Sequence, residues 1–279
     1  MKLWQKNQAP HEKIDHFTTG KDRIYDLYFA AYDCQASIAH AQMLGQIGIL
    51  TIEEADQLVA VLEVLKSDAE KGDFIIENKF EDVHSKIEYV LTEQLGDLGK
   101  KIHTARSRND QILAALHLYL KAEIKKLKGL THDFFKLLMD LAEQHKDKLL
   151  PGYTHFQVAM PSSFGLWFSA YAESLIDDVT LLNAALKIVD QNPLGSAAGY
   201  GSSFPIDRKA TTYQLDFADL KYNVIAAQMS RGKAEKTSAN AMAGIAATLS
   251  KLAMDICLYM GQEHSFITFP EALTTGSSI

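Results

Sequence analysis

Apolar residues recur every three or four positions through the first hundred residues, which is the spacing of amphipathic helices. The pattern predicts a first helix over about residues 24–49. Thr51, with Glu54 three residues later, matches a capping box and predicts that a second helix begins there. We expect that helix to end near Gly72 and a shorter one to run from His84 to Leu95.

Longer helical patterns occupy the rest of the chain. Between residues 109 and 146 there is no proline and a single glycine, Gly129, which predicts a helix on the order of 55 Å long at ~1.5 Å per residue. A second long helix is predicted from Pro161, a residue favoured in the first helical turn, to about residue 190. A third is predicted over about residues 224–261.

Three helices of roughly 30 to 40 residues that pack at shallow angles are typical of an elongated bundle. The predicted fold class is therefore all-α. We expect an N-terminal helical domain at residues 1–105, followed by a central bundle of long helices at residues 106–279.

Two of the long helices are apolar on more than one face, which predicts partners beyond a single chain. We expect homo-oligomerisation through these helices, and the alternative is a bundle within one chain. The main stripes consist of Val179, Leu182, Leu186 and Val189 on the second long helix and of Ala241, Ile245, Leu249, Leu252 and Ile256 on the third. The flanking small or apolar residues are Leu181, Ala184, Ile188, Ala243, Ala246, Ala247 and Ala253.

Composition narrows the class of protein. With 279 residues, 47% of them hydrophobic, the chain can bury a substantial core. The net charge of -7 gives no general attraction to nucleic acid or to an anionic membrane, so neither is expected as a partner. Cys34 and Cys257 lack paired spacing, which favours two buried thiols in a reducing compartment over a disulfide or zinc site. A soluble cytoplasmic protein is the expectation, since neither a signal peptide nor ~18 consecutive apolar residues is found.

The segment His103 to Gln111, HTARSRNDQ, has the densest ligand-binding chemistry in the chain. Arg106 and Arg108 can each bind a planar carboxylate through two parallel hydrogen bonds, and the first N–H groups of the following helix favour an anion there. The pattern indicates a site for a small substrate with several carboxylates. The alternative is that Ser107 or Asp110 caps the helix and that the arginines are solvated.

Three other polar clusters lie where loops meet helices or the chain ends: EDVHS at 81–85, PGYTHFQ at 151–157 and TTGSSI at 274–279. Each has a structural alternative, namely that Asp82 caps a helix, that His155 is a core histidine, and that the last residues form a flexible tail. The glycine-rich stretch at 192–201 is expected to be a tight structural loop. No HExxH, nucleotide-binding or GxSxG motif is found, so no metal or cofactor is expected.

Taken together, the four clusters resemble the active-site motifs of the fumarase and aspartase superfamily, in the same order along the chain. HTARSRNDQ is similar to the substrate-binding signature of argininosuccinate lyases, whereas the Thr-His and Gly-Ser-Ser elements are shared by sister enzymes. The resemblance implies a carbon–nitrogen lyase of arginine biosynthesis. Such an enzyme cleaves L-argininosuccinate to L-arginine and fumarate by anti β-elimination.

The resemblance also implies roles for individual residues. His155 is implied as the acid that protonates the leaving guanidino nitrogen, with Glu81, Asp82 or His84 orienting the network. Ser277 is implied as the base, and Ser278 is the alternative. The implied substrate-binding residues are His84, Ser107, Arg108, Asn109, Thr154, Gln157 and Arg231.

The family resemblance further implies a homotetramer whose active sites draw motifs from three subunits. Family members continue beyond the signature loop in which Ile279 lies, so we expect the chain to be a fragment that lacks the C-terminal part. Two alternatives stay open, a sister lyase such as adenylosuccinate lyase and a non-catalytic scaffold protein on the same fold. No binding residue is carried over from the N-terminal arm, which matches the family loosely.

Overall fold

The computed structural model describes residues 11–276. Helices make up most of this range, as the all-α prediction requires. The α-helices are α1 (Glu12–Thr19), α2 (Asp22–Tyr25), α3 (Ala30–Gln46), α4 (Ile52–Lys71), α5 (Val83–Leu95), α6 (Asp97–Lys100), α7 (Arg108–Gln144), α8 (Phe164–Val189), α9 (Arg208–Gln214), α10 (Val224–Met229) and α11 (Lys233–Met260). Short 3-10 turns are found at Asp26–Tyr28, Lys101–His103 and Glu271–Leu273.

Four short strands form two separate pairs in the described part of the chain. Strands β1 (Leu149–Thr154) and β2 (Gln157–Ser163) form an antiparallel hairpin, and β3 (Gln191–Asn192) pairs in parallel with β4 (Asp219–Leu220). The prediction that a helix begins at Pro161 is wrong, because Pro161 lies in β2 opposite Pro151. The helix begins at Phe164, where the Ser163 hydroxyl accepts a hydrogen bond from the Leu166 N–H and serves as the cap.

The chain divides into two compact units. The first comprises residues 1–123 and 186–236, and the second comprises residues 124–185 and 237–279. The helices α7, α8 and α11 each contribute residues to both units. The domain boundary predicted between residues 105 and 106 lies within the first unit, and that division stays a prediction.

The core of the first unit is built mainly by α3, α4 and α5. The capping box predicted at the start of α4 is confirmed, since Thr51 and Glu54 exchange both hydrogen bonds, and Gly72 ends the helix with a left-handed backbone. The predicted end of α5 is also confirmed at Gly96. The largest fully buried side chains of this core are Met43, Leu44, Leu58, Leu62, Phe80, Ile87, Leu91 and Ile102.

The core of the second unit consists of Leu138, Ala172, Leu175 and Leu252, with partly buried aromatic residues packed around them. Asp255 of α11 accepts hydrogen bonds from the Trp167 indole at 2.9 Å and the Tyr171 hydroxyl at 2.6 Å, both on α8. These bonds satisfy the polar ends of two aromatic side chains that otherwise pack against apolar neighbours. They also fix α8 against α11 within this unit.

The third long helix is interrupted, contrary to the sequence prediction of one helix over about residues 224–261. α10 ends at Met229, where the Ser230 hydroxyl donates to the Ala227 carbonyl at 2.6 Å. Gly232 then adopts φ +79°, a left-handed conformation that glycine accepts without strain. The break places Arg231 in a short exposed turn instead of in a helix.

α11 is also long and apolar enough to cross a membrane by length and composition, although only 17% of its most apolar window is buried. The helix contains no run of ~18 consecutive apolar residues, which is the criterion applied to the sequence. Its mean hydropathy over 18 residues is nevertheless high, because an average tolerates a few polar residues among the apolar ones. Core helices of soluble proteins pass the same test, so a single helix of this kind is weak evidence for a membrane span.

Candidate active site

The HTARSRNDQ segment forms the start of the 37-residue helix α7. The Asp110 carboxylate accepts the Ser107 N–H at 2.9 Å, and the Ser107 hydroxyl accepts the Asn109 N–H at 3.3 Å. These bonds satisfy N–H groups that no helical carbonyl can reach. The structure therefore confirms the capping role that was the structural alternative for Ser107 and Asp110.

Asp110 also holds the glycine-rich loop. Its second carboxylate oxygen accepts the N–H groups of Gly195 at 2.9 Å and Ala197 at 3.0 Å. Ala197 has φ 50°, an unfavourable value for a residue with a side chain. The hydrogen bonds from Asp110 thus stabilise a strained loop directly beside the candidate substrate-binding segment.

Arg108 connects two of the sequence clusters. Its guanidinium donates to Asp82 Oδ2 at 2.8 Å and to Ser85 Oγ at 2.9 Å, and a carboxylate oxygen of Glu81 lies 3.6 Å away. Asp82 is at the same time the N-cap of α5, since it accepts the Ser85 N–H at 2.8 Å. EDVHS and HTARSRNDQ therefore meet in the first unit.

Arg106 lies elsewhere, which corrects the expectation that both arginines bind a substrate carboxylate. Its side chain is buried and donates to Ser37 Oγ at 2.9 Å. Burial lowers the pKa of its guanidinium, although the charges of Asp33, Asp110 and Glu88 oppose this. Arg106 is therefore part of the core, and only Arg108 faces the polar cluster.

His84 is buried in a polar network that joins three helices. Its Nδ1 lies 2.8 Å from Asp33 Oδ2 of α3, and the Gln111 side-chain amide of α7 donates to both Asp33 oxygens at 3.0 and 3.2 Å. Sequence reasoning missed Asp33 and the role of Gln111. One signal could have identified Asp33: it lies on a helix face of small and apolar residues, where a buried ionised side chain needs a partner.

Asp26 is a second buried carboxylate that sequence reasoning missed. Its Oδ2 accepts the Val83 N–H at 3.0 Å. Burial is the main cause that raises its pKa to about 6; the Val83 hydrogen bond and the charge of His84 oppose this, and Asp82 adds to it. A carboxyl group with this pKa changes its charge near neutral pH. It does so beside Asp82 and His84, which both belong to the EDVHS cluster.

Arg231 belongs to the same electrostatic neighbourhood. Burial, followed by the charge of Asp82, raises the pKa of Asp22, while Arg23 and Arg231 lower it. Asp22 is therefore close enough to feel both Asp82 and Arg231. The first unit thus contains His84, Ser107, Arg108, Asn109 and Arg231, of which only His84 is buried.

The other predicted site residues lie in the second unit, on the β1–β2 hairpin. Thr154 ends β1, Gln157 begins β2, and the two pair across a turn made of His155 and Phe156. Both turn residues have positive φ, 53° for His155 and 59° for Phe156. Two consecutive left-handed residues are characteristic of a tight type I′ hairpin turn. All four side chains are exposed, so His155 is not the core histidine of the structural alternative.

Aromatic contacts hold the base of this hairpin. The Tyr153 ring packs edge-on against His264, with 5.5 Å between ring centroids, and His264 packs against Phe266 at 5.4 Å. A left-handed conformation at a residue other than glycine costs of order 1–3 kcal/mol and persists where surrounding structure enforces it. The pairing of β1 with β2 and the packing of Tyr153 supply that support for His155.

Ser277 and Ser278, the candidate bases, lie outside the described residues. Within residues 11–276, no group of three or more His, Cys, Asp and Glu side chains is arranged to hold a metal ion. Cys34 and Cys257 are both free thiols. Cys34 is buried, as expected, whereas the expectation that Cys257 is buried is wrong, because its side chain is exposed.

Comparison with known proteins identifies the family. A family model described as lyase matches residues 12–279. The chain belongs to this lyase family. The match covers all four polar clusters, the whole of the second unit and all of the first unit from residue 12 onward.

Curated relatives that match the chain include argininosuccinate lyases. That of Parabacteroides distasonis is 57% identical over 278 residues, which cover 100% of this chain and 62% of the relative. That of Phocaeicola vulgatus is 54% identical with the same coverage, and that of Xanthomonas campestris pv. campestris is 46% identical over 99% of this chain and 64% of the relative. The chain therefore spans less than two thirds of the length of these relatives.

Solved structures support the fold. An EDDS lyase variant with bound fumarate matches with a TM-score of 0.81 and 25% identity, over 98% of this chain and 54% of that chain. A class II fumarase from Schistosoma mansoni matches with a TM-score of 0.78 and 17% identity, over 97% of this chain and 67% of that chain, and shows the fold alone. The prediction of a fumarase and aspartase type of helical fold is confirmed.

Proposed function

We propose that the protein acts as an argininosuccinate lyase, which cleaves L-argininosuccinate to L-arginine and fumarate in arginine biosynthesis. The observation that carries this proposal is the 57% identity to an argininosuccinate lyase over the whole chain, which includes HTARSRNDQ at the start of α7. An EDDS lyase variant of the same fold binds fumarate, and this supports fumarate as the product.

In this proposal, Arg108 binds a substrate carboxylate. Two of its five N–H donors are used by Asp82 and Ser85, which leaves three for a ligand. Because Asp82 and Ser85 hold the guanidinium, the remaining donors point in a fixed direction and lose little entropy on binding. Ser107 and Asn109 lie beside Arg108, and His84 and Arg231 complete the substrate-binding residues proposed in the first unit.

The proposed chemistry is an anti β-elimination. Ser277 removes the proton from the carbon beside a carboxylate, which leaves an aci-carboxylate dianion, and His155 protonates the leaving guanidino nitrogen as the C–N bond breaks. The C–H bond is barely acidic, so donors placed around the developing charge must lower most of the barrier. Thr154 and Gln157 flank His155 in the hairpin and are proposed to bind the substrate there.

We further propose that the enzyme is a homotetramer whose active sites combine residues of different subunits. Two observations support this. The proposed site residues fall into two compact units, and the long helices expose large apolar side chains in the second unit, including Leu137, Ile176 and Met254. The free thiols of Cys34 and Cys257 suit the cytoplasm, where we propose that the enzyme works.

A substrate panel tests the proposed function. The intact protein is incubated with argininosuccinate, adenylosuccinate, aspartate or malate, and fumarate is followed by its ultraviolet absorbance. We expect fumarate from argininosuccinate, together with an equal amount of arginine. Fumarate from adenylosuccinate alone would assign the protein to a sister lyase, and no fumarate from any of the four would indicate a non-catalytic scaffold.

A further inference from the structure

We propose that Asp33 is a positioning residue that fixes the orientation and the tautomer of His84, and that Gln111 holds Asp33 in place for this purpose. The inference rests on the proposed function, in which His84 belongs to the substrate site. Nothing in the sequence motifs assigns a role to Asp33.

The Asp33 carboxylate is the meeting point of three helices. Its side chain is fully buried, and the His84 side chain is only 3% exposed. His84 of α5 lies 2.8 Å from Oδ2, while the Gln111 amide of α7 reaches Oδ1 at 3.0 Å and Oδ2 at 3.2 Å. Both partners approach an acceptor that is itself on α3, so the ring of His84 is held relative to α3 and α7 together.

This arrangement determines which ring nitrogen carries a proton. Burial alone would raise the pKa of Asp33. The charge and hydrogen bond of His84, the charge of Arg106 and the hydrogen bond of Gln111 together outweigh burial, so the pKa is lowered and the carboxylate is ionised at neutral pH. An ionised carboxylate only accepts hydrogen bonds. His84 Nδ1 must therefore donate to Asp33, and Nε2 faces the other way.

Nε2 of His84 is buried and has no hydrogen-bond partner among residues 11–276. A buried polar atom in this state costs free energy, which a structural role for the ring does not explain. The same ring lies near Asp82, whose other contacts include Arg108 of the substrate site. Within the described part of the His84–Asp33–Gln111 network, His84 Nε2 and Gln111 Oε1 are the buried polar atoms without a partner, and Nε2 belongs to the ring beside Asp82.

The charges around His84 favour a protonated ring. Burial alone would lower its pKa, but Asp33 of α3, Asp82 at the start of α5 and Asp26 of the neighbouring 3-10 turn raise it, and the net pKa is raised. The charge of Arg106 also contributes to the lowered pKa of Asp33. In the protonated ring Nε2 carries a hydrogen, and an imidazolium N–H is a suitable donor to a carboxylate of the substrate.

The alternative is that Asp33 only braces three helices. Asp33→Asn distinguishes a positioning role from a purely structural one, because the amide keeps the size of the side chain and removes its charge. We expect kcat/KM at pH 7 to fall by about 10- to 100-fold, on the scale of losing one charge-assisted hydrogen bond. We also expect the high-pH limb of kcat/KM to move to lower pH, because without the charge of Asp33 the ring loses its proton earlier.

A double-mutant cycle gives the decisive measurement. If Asp33 acts through His84, Asp33→Asn lowers kcat/KM in the wild-type background but has no further effect in a His84→Asn background. A brace lowers kcat/KM by the same factor in both backgrounds and leaves the pH profile unchanged, and this result would overturn the inference. Asp33→Glu should recover part of the activity if the charge is what matters.

Asp178→Asn is the matched control. Asp178 is also a buried carboxylate that joins two helices, through the Thr248 hydroxyl at 2.7 Å, but it lies in the second unit and outside the proposed site. We expect this variant to lower the melting temperature without moving the high-pH limb. A similar shift in both variants would count against a specific role for Asp33.

Unfolding experiments separate this inference from the proposed function. If the wild-type protein releases no fumarate from argininosuccinate, the proposed function fails. The Asp33–His84 pair is then tested by the free energy of unfolding of the wild-type protein, the two single variants and the double variant. The raised pKa of His84 contributes stability that is fully present below its ordinary value of 6.5 and lost as pH rises through the folded value. The lowered pKa of Asp33 contributes stability that is present above 3.8 and lost as pH falls through the folded value.

The coupling between the two substitutions should therefore be largest between pH 3.8 and 6.5 and decline on both sides. A cycle in which the two substitutions are additive at every pH would show that Asp33 and His84 do not form the proposed pair, whatever the enzymatic activity.

Discussion

Single carboxylates organise the start of α7. Asp110 binds three backbone N–H groups, those of Ser107, Gly195 and Ala197, and thereby joins the first turn of the helix to the glycine-rich loop. Asp82 caps α5 through the Ser85 N–H and also orients Arg108. The proposed substrate-binding residues Ser107 and Arg108 are therefore held in place by Asp110 and Asp82, whose hydrogen bonds are made within the protein.

Asp110→Ala should destabilise the first unit. The substitution leaves three N–H groups without their acceptor, and we expect the free energy of unfolding to fall by about 2–4 kcal/mol. Urea denaturation measures this change. Asp207→Ala is the control, since Asp207 is an exposed cap of α9 that accepts two N–H groups, and its loss should cost about 1 kcal/mol. Equal effects of the two substitutions would contradict the structural role assigned to Asp110.

His155→Asn should lower turnover by roughly two to four orders of magnitude, because asparagine cannot transfer a proton to the leaving nitrogen. The assay is the release of fumarate from argininosuccinate. His132→Asn is a matched control, since His132 is an exposed histidine of α7 in the same unit. Near-normal turnover of the His155 variant would remove this residue from the mechanism.

At the scale of helices and turns, two glycines of the long helical segments have different roles. Gly129 lies within α7, whereas Gly232 lies in the turn that separates α10 from α11. A methyl group added at either position meets no atom within 4 Å. The two differ in backbone conformation, because only Gly232 has a positive φ, +79°.

Alanine at these two positions should therefore change stability in opposite directions. Gly129→Ala should raise the free energy of unfolding by about 0.5–1 kcal/mol, because alanine loses less backbone entropy in a helix. Gly232→Ala should lower it by about 1 kcal/mol, since alanine is strained at this φ. Thermal unfolding of the two variants beside the wild-type protein tests the pair, and a change of the same sign in both would refute the conformational argument.

At the scale of the whole molecule, the second unit leaves large apolar side chains exposed on all three of its long helices. Leu137 of α7 is 51% exposed and Met254 of α11 is 58% exposed. Because about half of each side chain is already covered, covering the rest is worth about 1 kcal/mol per side chain. These surfaces are where we expect the subunits of the proposed tetramer to pack.

A double variant tests this expectation. Leu137→Glu combined with Met254→Glu should dissociate the assembly, since each substitution places a charge on the interface, and we expect sedimentation equilibrium to show a species of lower mass. Val64→Glu is the control, because Val64 is 60% exposed on α4 in the first unit. A wild-type protein that sediments with the mass of one chain would contradict the tetramer itself.

Local patterns predicted many elements well. The capping box at Thr51, the helix ends at Gly72 and Gly96, and the long uninterrupted α7 follow from interactions between residues a few positions apart. The β1–β2 hairpin and the break at Gly232 were not predicted. The hairpin depends on the pairing of two strands, and its turn uses His155 and Phe156 at positive φ instead of the usual glycine or asparagine.

The sequence by itself determined the all-α class, the ends of α4, α5 and α7 and the resemblance to argininosuccinate lyases, because helical spacing, caps and the HTARSRNDQ segment are encoded by neighbouring residues. Only the tertiary structure decided that Arg106 is buried while Arg108 meets Asp82, and that Asp33 holds His84 and Gln111. These partners are 51 and 78 residues from Asp33 along the chain. Contacts at such separations depend on how helices pack, and local spacing carries no information about them.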